Sequence, residues 1–291
     1  MIPGEIKSVS EFIHHQHYKD GYQLLQPSND LNSVVDFIHI NQLEQLYPDT
    51  INVKELCFAS FGVNILFPVG EPGQAVCTGG TQHLLQQPVM IPRHRHSVTF
   101  HFGKGKVLGV RCPVNFLGAT LSPGMFTKNE PLSLSSLRHV RDFPTLNPMD
   151  PVSVHLQKVE AYLVSFLEDT GIRQESQLVS ESIQYMKSQL AGKLRMTEIA
   201  NEFFVSNKTL SRYFLKYTGC SPKEVFTTLR FRKALNAYLL RSNEFDFSRF
   251  GYFDYSHFYR EIKSFTGYYP HQLLISTPEQ STLNSQHLTT V

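Results

Sequence analysis

Between about residues 51 and 112, apolar and polar positions alternate with a period of two. Val98, Phe100 and Phe102 fall on one side of the pattern, and Thr99 and His101 on the other. This is the spacing of a half-buried strand. The clusters GEPG, TGG and GKGK interrupt the run, so several strands joined by tight turns are expected. After residue 150 the period changes. Leu156, Val159, Leu163, Phe166 and Leu167 recur at helical intervals and predict a helix from Asp150 to Phe166. Asp150 suits the cap, Pro151 the first turn and Gly171 the end. The charged stretch EDTGIRQESQ reads as a linker. From Ser182 to about Leu274 helical periods continue without strand text. The tail STPEQSTLNSQHLTTV has few large apolar residues and is expected to be disordered. The implied fold class is α+β: a β-rich N-terminal domain with helices at its end (1–172), an all-α domain (181–275) and a tail (276–291).

The helical part repeats itself at an offset of 48. Ser206, Leu210, Arg212, Phe214, Thr218, Gly219 and Pro222 recur as Asp254, Phe258, Arg260, Ile262, Thr266, Gly267 and Pro270. Each match is identical or chemically conservative, and a fixed offset implies one structural unit used twice. In the first unit Thr197 is expected to cap a short helix whose Ile199 and Ala200 face inward. The small Ala200 lets two helices cross closely. Ser206 then caps a second helix, along which Leu210 and Phe214 pack inward and Gly219 supplies a left-handed stop. Lys208, Ser211, Arg212 and Lys216 are left facing outward. This is the plan of a helix-turn-helix. Ser221-Pro222-Lys223-Glu224 is a capping box with proline at the first helical position, so a long helix must run from there to about Arg241 and join the two units.

Charge sharpens the picture. The net formal charge of +2 hides a split, for residues 181 to 275 hold 14 Lys and Arg against 8 Asp and Glu, and a bound polyanion responds to such a local excess. No apolar run approaches the roughly 20 residues of a spanning helix, and the start MIPGEIKSVSEF lacks the layout of a signal peptide. A cytoplasmic location is expected. The four cysteines, Cys57, Cys77, Cys112 and Cys220, are scattered and read as reduced thiols.

The quoted residues resemble the AraC/XylS family of bacterial transcription regulators. The resemblance covers about residues 181 to 275. It rests on EIA at 198–200, SRYFLKYTGCSPKE at 211–224, RFRKAL at 230–235 and GYFDYSHFYREIKSFTGYYP at 251–270. It implies a sequence-specific DNA-binding regulator with base contacts from Lys208, Ser211 and Arg212 in the first unit and from Tyr255, Ser256, His257 and Arg260 in the second. Arginine takes guanine O6 and N7 in bidentate fashion, which favours Arg212 and Arg260. Lys216 is a further outward cation, while Arg230, Arg232 and Lys233 on the joining helix are candidates for phosphate contact. The N-terminal part, through VLGVRCPVNFLGATL at 107–121, is more weakly similar to the sensory domains found before this module in some family members, and it is expected to bind a small molecule or a partner and to mediate dimerisation through helices such as 151–168. The partners expected are double-stranded DNA, RNA polymerase, a second copy of the chain and a small-molecule effector of unidentified chemistry, with no membrane and no cofactor. Two places depart from the family pattern. FDFSRFGY, with Ser248 opposite Ala200, replaces the isoleucine-alanine pair of the second bracing helix, and Phe203-Phe204 fills a turn where glycine is common. The first unit is therefore expected to carry more of the specificity. Tyr213, Tyr217, Tyr252 and Phe265 read as packing groups.

A second reading starts from His94-x-His96 with His101 beyond, which aligns imidazoles as in cupin-type metal sites. No glutamate follows to complete the set, so no metal site is expected. The phosphate-loop, dinucleotide, serine-hydrolase and zinc-protease motifs are absent as well, and an enzyme is not expected. The rivals that remain are a cupin-like metal enzyme with an accessory helical domain, and an interaction module that has lost DNA binding.

Overall fold

The computed structural model describes residues 22–42 apart from Ser33, then 53–57, 59–70, 73–77, 82–93, 98–102, 105–117, 131–134, 143–170, 173–190, 194–240 and 242–274. The strands are β1 (Tyr22–Leu25), β2 (Phe37–Gln42), β3 (Val53–Cys57), β4 (Ser60–Gly70), β5 (Gly73–Cys77), β6 (Gln82–Leu85), β7 (Val89–Arg93), β8 (Val98–Phe102), β9 (Gly105–Cys112) and β10 (Leu132–Ser133). They make two antiparallel sheets, one ordered β1-β2-β9-β4-β7-β10 and the other β3-β8-β5-β6. Strands β1, β2 and β10 lie outside the span where alternation is plain. β1 and β10 have four and two residues, too few to show a period.

Among the described residues the α-helices are α1 (Val152–Thr170), α2 (Gln174–Ser188), α3 (Met196–Glu202), α4 (Asn207–Thr218), α5 (Pro222–Leu240), α6 (Tyr255–Thr266) and α7 (Pro270–Leu274). The apolar stripe of α1 packs on the larger sheet, where Val159, Tyr162, Leu163 and Phe166 join Ile38, Val63, Ile65, Phe67, Leu108 and Val110 in one core. Phe166 stacks on Phe116 with ring centroids 5.5 Å apart. The stripe is thus consumed within the chain, and dimerisation through α1 would be left with its outer face. Asp150 does not serve α1 as foreseen. The helix starts at Val152, and the Asp150 carboxylate accepts instead from Lys158 Nζ at 2.9 Å, which holds it below the usual carboxylate range.

The stretch read as a linker holds the end of α1 and the start of α2. Helix α2 belongs to the C-terminal half, where Val179, Ile183 and Met186 share a core with Ile199, Leu210, Phe214 and Val225. Its apolar positions begin only at Leu178, after a polar first turn, which hid its start.

A bulge ties the two halves together. The register of β4 against β7 shifts between Ser60 and Val63, and Gly62 within it has φ +112°. A Cβ there would meet the Arg111 guanidinium and the Cys112 carbonyl, so glycine is required. Next to the bulge, Ala59 packs with Phe231, Leu235 and Phe258. Phe61 packs with Leu210 and Phe214. One short stretch of the sheet domain therefore enters both helical cores. Arg111 donates to the Phe61 carbonyl, and Arg232 Nη1 donates to the Ala59 carbonyl at 3.0 Å. Burial, then the charge of Arg232, lowers Arg111 to about 10.

Cys112 and Cys220 are buried free thiols, and burial pushes Cys112 up, away from thiolate reactivity. Cys57 and Cys77 both stand opposite Val98. Two strand spacings, roughly 9.6 Å, separate their Cα atoms, beyond disulfide reach. Among the described residues no group of His, Cys, Asp and Glu is placed to hold a metal ion, and no helix is long and apolar enough to cross a membrane. His94 and His96 lie outside the described residues.

Candidate nucleic-acid interface

The two units are built from the same local devices. Ser206 Oγ accepts from the Thr209 N–H at 3.1 Å, and Asp254 Oδ1 accepts from the His257 N–H at 2.6 Å. Each cap satisfies one of the free donors at a helix start. At the other end Gly219 and Gly267 are left-handed, with φ +67° and +79°. There the paired threonines do identical work. Thr218 Oγ1 donates to the Phe214 carbonyl and accepts from the Cys220 N–H, as Thr266 Oγ1 donates to the Ile262 carbonyl and accepts from the Tyr268 N–H. Leu210 and Phe214 on α4, and Phe258 and Ile262 on α6, are buried. Both helices are thus pinned at the ends and along one face.

On the other face, Lys208, Arg212, Tyr255, Ser256 and Arg260 are exposed, with Ser211 and His257 half-buried beside them. Arg212 lies over the Tyr213 ring, 5.2 Å from its centroid, and Arg260 Nε donates to the Ser256 carbonyl at 3.2 Å. The Tyr255 hydroxyl donates to the Phe245 carbonyl at 3.0 Å. Leu215, half-exposed on α4, shares this face.

Three expected contacts are engaged inside the protein. Lys216 Nζ and the Tyr217 hydroxyl both donate to Glu175 Oε2, at 2.6 and 2.7 Å, fastening α4 to α2. These two bonds hold the Glu175 carboxyl below its usual range. Arg230 pairs with Glu261 at 2.5 Å and lies over the Tyr252 ring. Arg232 reaches the sheet domain through Ala59. Of the cations proposed on α5 for phosphate contact, Lys233 is the one left exposed.

Two expectations about the braces change. Helix α3 begins at Met196, and Glu198 accepts from the Arg195 N–H at 2.9 Å, so Thr197 lies within the first turn instead of capping it. In the second unit the brace is a single 3-10 turn, Phe247–Phe250, capped by Asp246 and closed by left-handed Gly251. Aromatic packing replaces the missing helix: Phe245, Tyr252 and Tyr238 surround Phe258, and Phe250 stacks on Phe245. Glu261 adds a polar anchor, accepting from the Tyr252 hydroxyl at 2.6 Å. Burial, then the Glu261 charge, raises the Tyr252 phenol well above its usual range. Tyr217 and Tyr252 are buried, and Phe265 stacks on Phe231 with centroids 4.4 Å apart, so all three pack.

Helix α5 starts as its sequence demands, with Ser221 N–H donating to Glu224 Oε2 at 2.7 Å and Glu224 N–H to Ser221 Oγ at 3.3 Å. Its 19 residues span about 28 Å and separate the two exposed helices as a rigid spacer.

A family model agrees with the helix-turn-helix geometry. Residues 199–274 match the family model described as a helix-turn-helix domain. Among solved structures the chain is similar to ToxT from Vibrio cholerae strain SCE256 with an unsaturated fatty acid bound, at 13% identity and TM-score 0.47, covering 90% of this chain and 97% of that one. A second ToxT structure, from Vibrio cholerae, gives 9% identity and TM-score 0.46, covering 89% and 100%. The AraC-like transcriptional activator CuxR gives 10% identity and TM-score 0.23, covering 77% and 89%. No curated relative matches by sequence. Residues 199–274 are thus a helix-turn-helix domain, and within it α4 and α6 are the two copies of one unit.

Proposed function

We propose that the chain reads an operator by placing α4 and α6 in two successive major-groove segments. Base edges are contacted by Lys208, Ser211 and Arg212 from the first and by Tyr255, Ser256, His257 and Arg260 from the second. Lys233 adds a phosphate contact. The observation that carries this reading is the twofold use of one capped, amphipathic helix whose outward face holds these groups. The α5 spacer supports it, since successive groove turns lie about 34 Å apart.

The sheet domain modulates this binding, and the contacts of Ala59 and Phe61 with both helical cores support that part. A small-molecule effector or partner that binds one arrangement of the halves better than another would shift the population toward it. In a homodimer, α1 contributes its outer face, where Ser153, Gln157 and Ala161 are exposed. Acting on the genome places the protein in the cytoplasm.

The test is operator affinity, measured by fluorescence anisotropy on a genomic fragment recovered with the protein. Arg212→Ala and Arg260→Ala should each weaken binding by about 1–3 kcal/mol, with the larger loss at Arg212. Unchanged affinity for both at physiological salt would refute the base-contact assignment.

A further inference from the structure

Phe204 is 97% exposed and Phe253 is 89% exposed, the most exposed aromatic residues of the helical domain. Each stands at the mouth of a recognition helix, Phe204 two residues before the cap Ser206 and Phe253 immediately before the cap Asp254. Along the chain, Phe204 precedes the helix that carries Lys208 and Arg212, and Phe253 the helix that carries Ser256 and Arg260.

Phe204 also occupies a costly backbone. Its φ is +53°, the one positive value among non-glycine residues described. The turn is a helix stop of the glycine-preferring kind, in which the Val205 N–H donates to the Ala200 carbonyl at 2.9 Å and Phe204 takes the left-handed place. A bulky residue there strains the backbone. The ring, 97% exposed, adds no packing to offset the strain. The neighbouring Phe203 differs, being half-buried and packed edge-on against Tyr185.

We propose that Phe204 and Phe253 are apolar contacts to the deoxyribose wall of the DNA groove, one at each recognition helix. The inference rests on the regulator reading and extends its interface by two residues. A helix entering the groove by its N-terminal turns brings the preceding turn to the sugar-phosphate edge. Aromatic carbon then covers sugar carbon between the phosphates held by the basic side chains. Such contact reads no bases, and it releases no counterions, so it leaves the salt dependence of binding alone.

The experiment uses the full chain and a random-sequence duplex of about 40 base pairs, long enough for two groove turns, titrated across a salt series. Phe204→Gly and Phe253→Ser should each weaken binding roughly five- to tenfold, as expected for uncovering part of an aromatic ring. The slope of log affinity against log salt should not change, whereas Lys233→Ala should lower it. Phe204→Gly should keep or raise the thermal midpoint, since glycine suits the turn. Unchanged affinity in both variants, with wild type binding, overturns this inference alone. A loss confined to operator fragments overturns it in favour of base reading. Wild-type protein that binds no duplex at any salt overturns the regulator reading together with this one.

Discussion

His39 lies opposite Gly109 in the β2–β9 ladder, and a Cβ on Gly109 would collide with the imidazole ring. The ring is folded into space that only glycine leaves, and loss of water around it lowers its pKa to about 4. In the unfolded chain the value is near 6.5. Between these values the unfolded chain binds the extra proton, so this contribution is complete above about pH 6.5 and is lost as pH falls toward 4. Its size is up to about 3 kcal/mol. Urea unfolding at pH 7 and pH 4.5 should show a smaller pH loss for His39→Gln than for wild type; equal losses would show that His39 is not the titrating group. Nothing in the text FIHINQ marks this histidine. Its partner is a glycine 70 positions away, and only the strand register joins them.

At the scale of elements, the ends of the two repeated helices and the start of α5 were legible, those at Asp150 and Thr197 were not, and the sides of helices were legible only in part. Ser206, Asp254, Gly219, Gly267 and the Ser221–Glu224 box act on backbone groups within four residues, so local text is enough to place them. Arg230, Arg232 and Lys216 read as outward cations because a helical period says which residues share a side, not what meets it. The carboxylate of Arg230 is 31 residues away, and the carbonyl that Arg232 meets is 173 away. The Arg230–Glu261 pair keeps side-chain exposures of only 19% and 11%, and it holds α6 on α5 where the regular brace is missing. Glu261→Ala should cost about 2–4 kcal/mol by stranding the guanidinium. In equilibrium denaturation, Arg230→Met with Glu261→Leu should recover most of that loss. A double variant as unstable as the single one would mean that the pair is not what holds the helix.

At the scale of the molecule, the stretch around Ala59 and Phe61 joins the sheet domain to both recognition units. Phe61→Ala should remove about 3 kcal/mol by leaving a cavity in the first unit's core. It should also separate one calorimetric transition into two, because the halves lose a shared anchor. A single transition merely shifted to lower temperature would show that the halves are coupled elsewhere.

The amino-acid sequence by itself determined a strand-rich span followed by helices, the duplicated unit at its 48-residue offset, the caps at Ser206 and Ser221, and the outward positions of Arg212 and Arg260. All of these depend on periodicity and on hydrogen bonds between near neighbours. Tertiary structure alone decided that Arg230, Arg232 and Lys216 are held within the protein, and that an aromatic cluster braces α6. It also decided that the stripe of α1 is spent on its own sheet, and that a glycine bulge carries the sheet into both helical cores. The physical reason is range: packing and ion pairing join residues that are distant in the chain, and which distant residues meet is settled only when the elements dock.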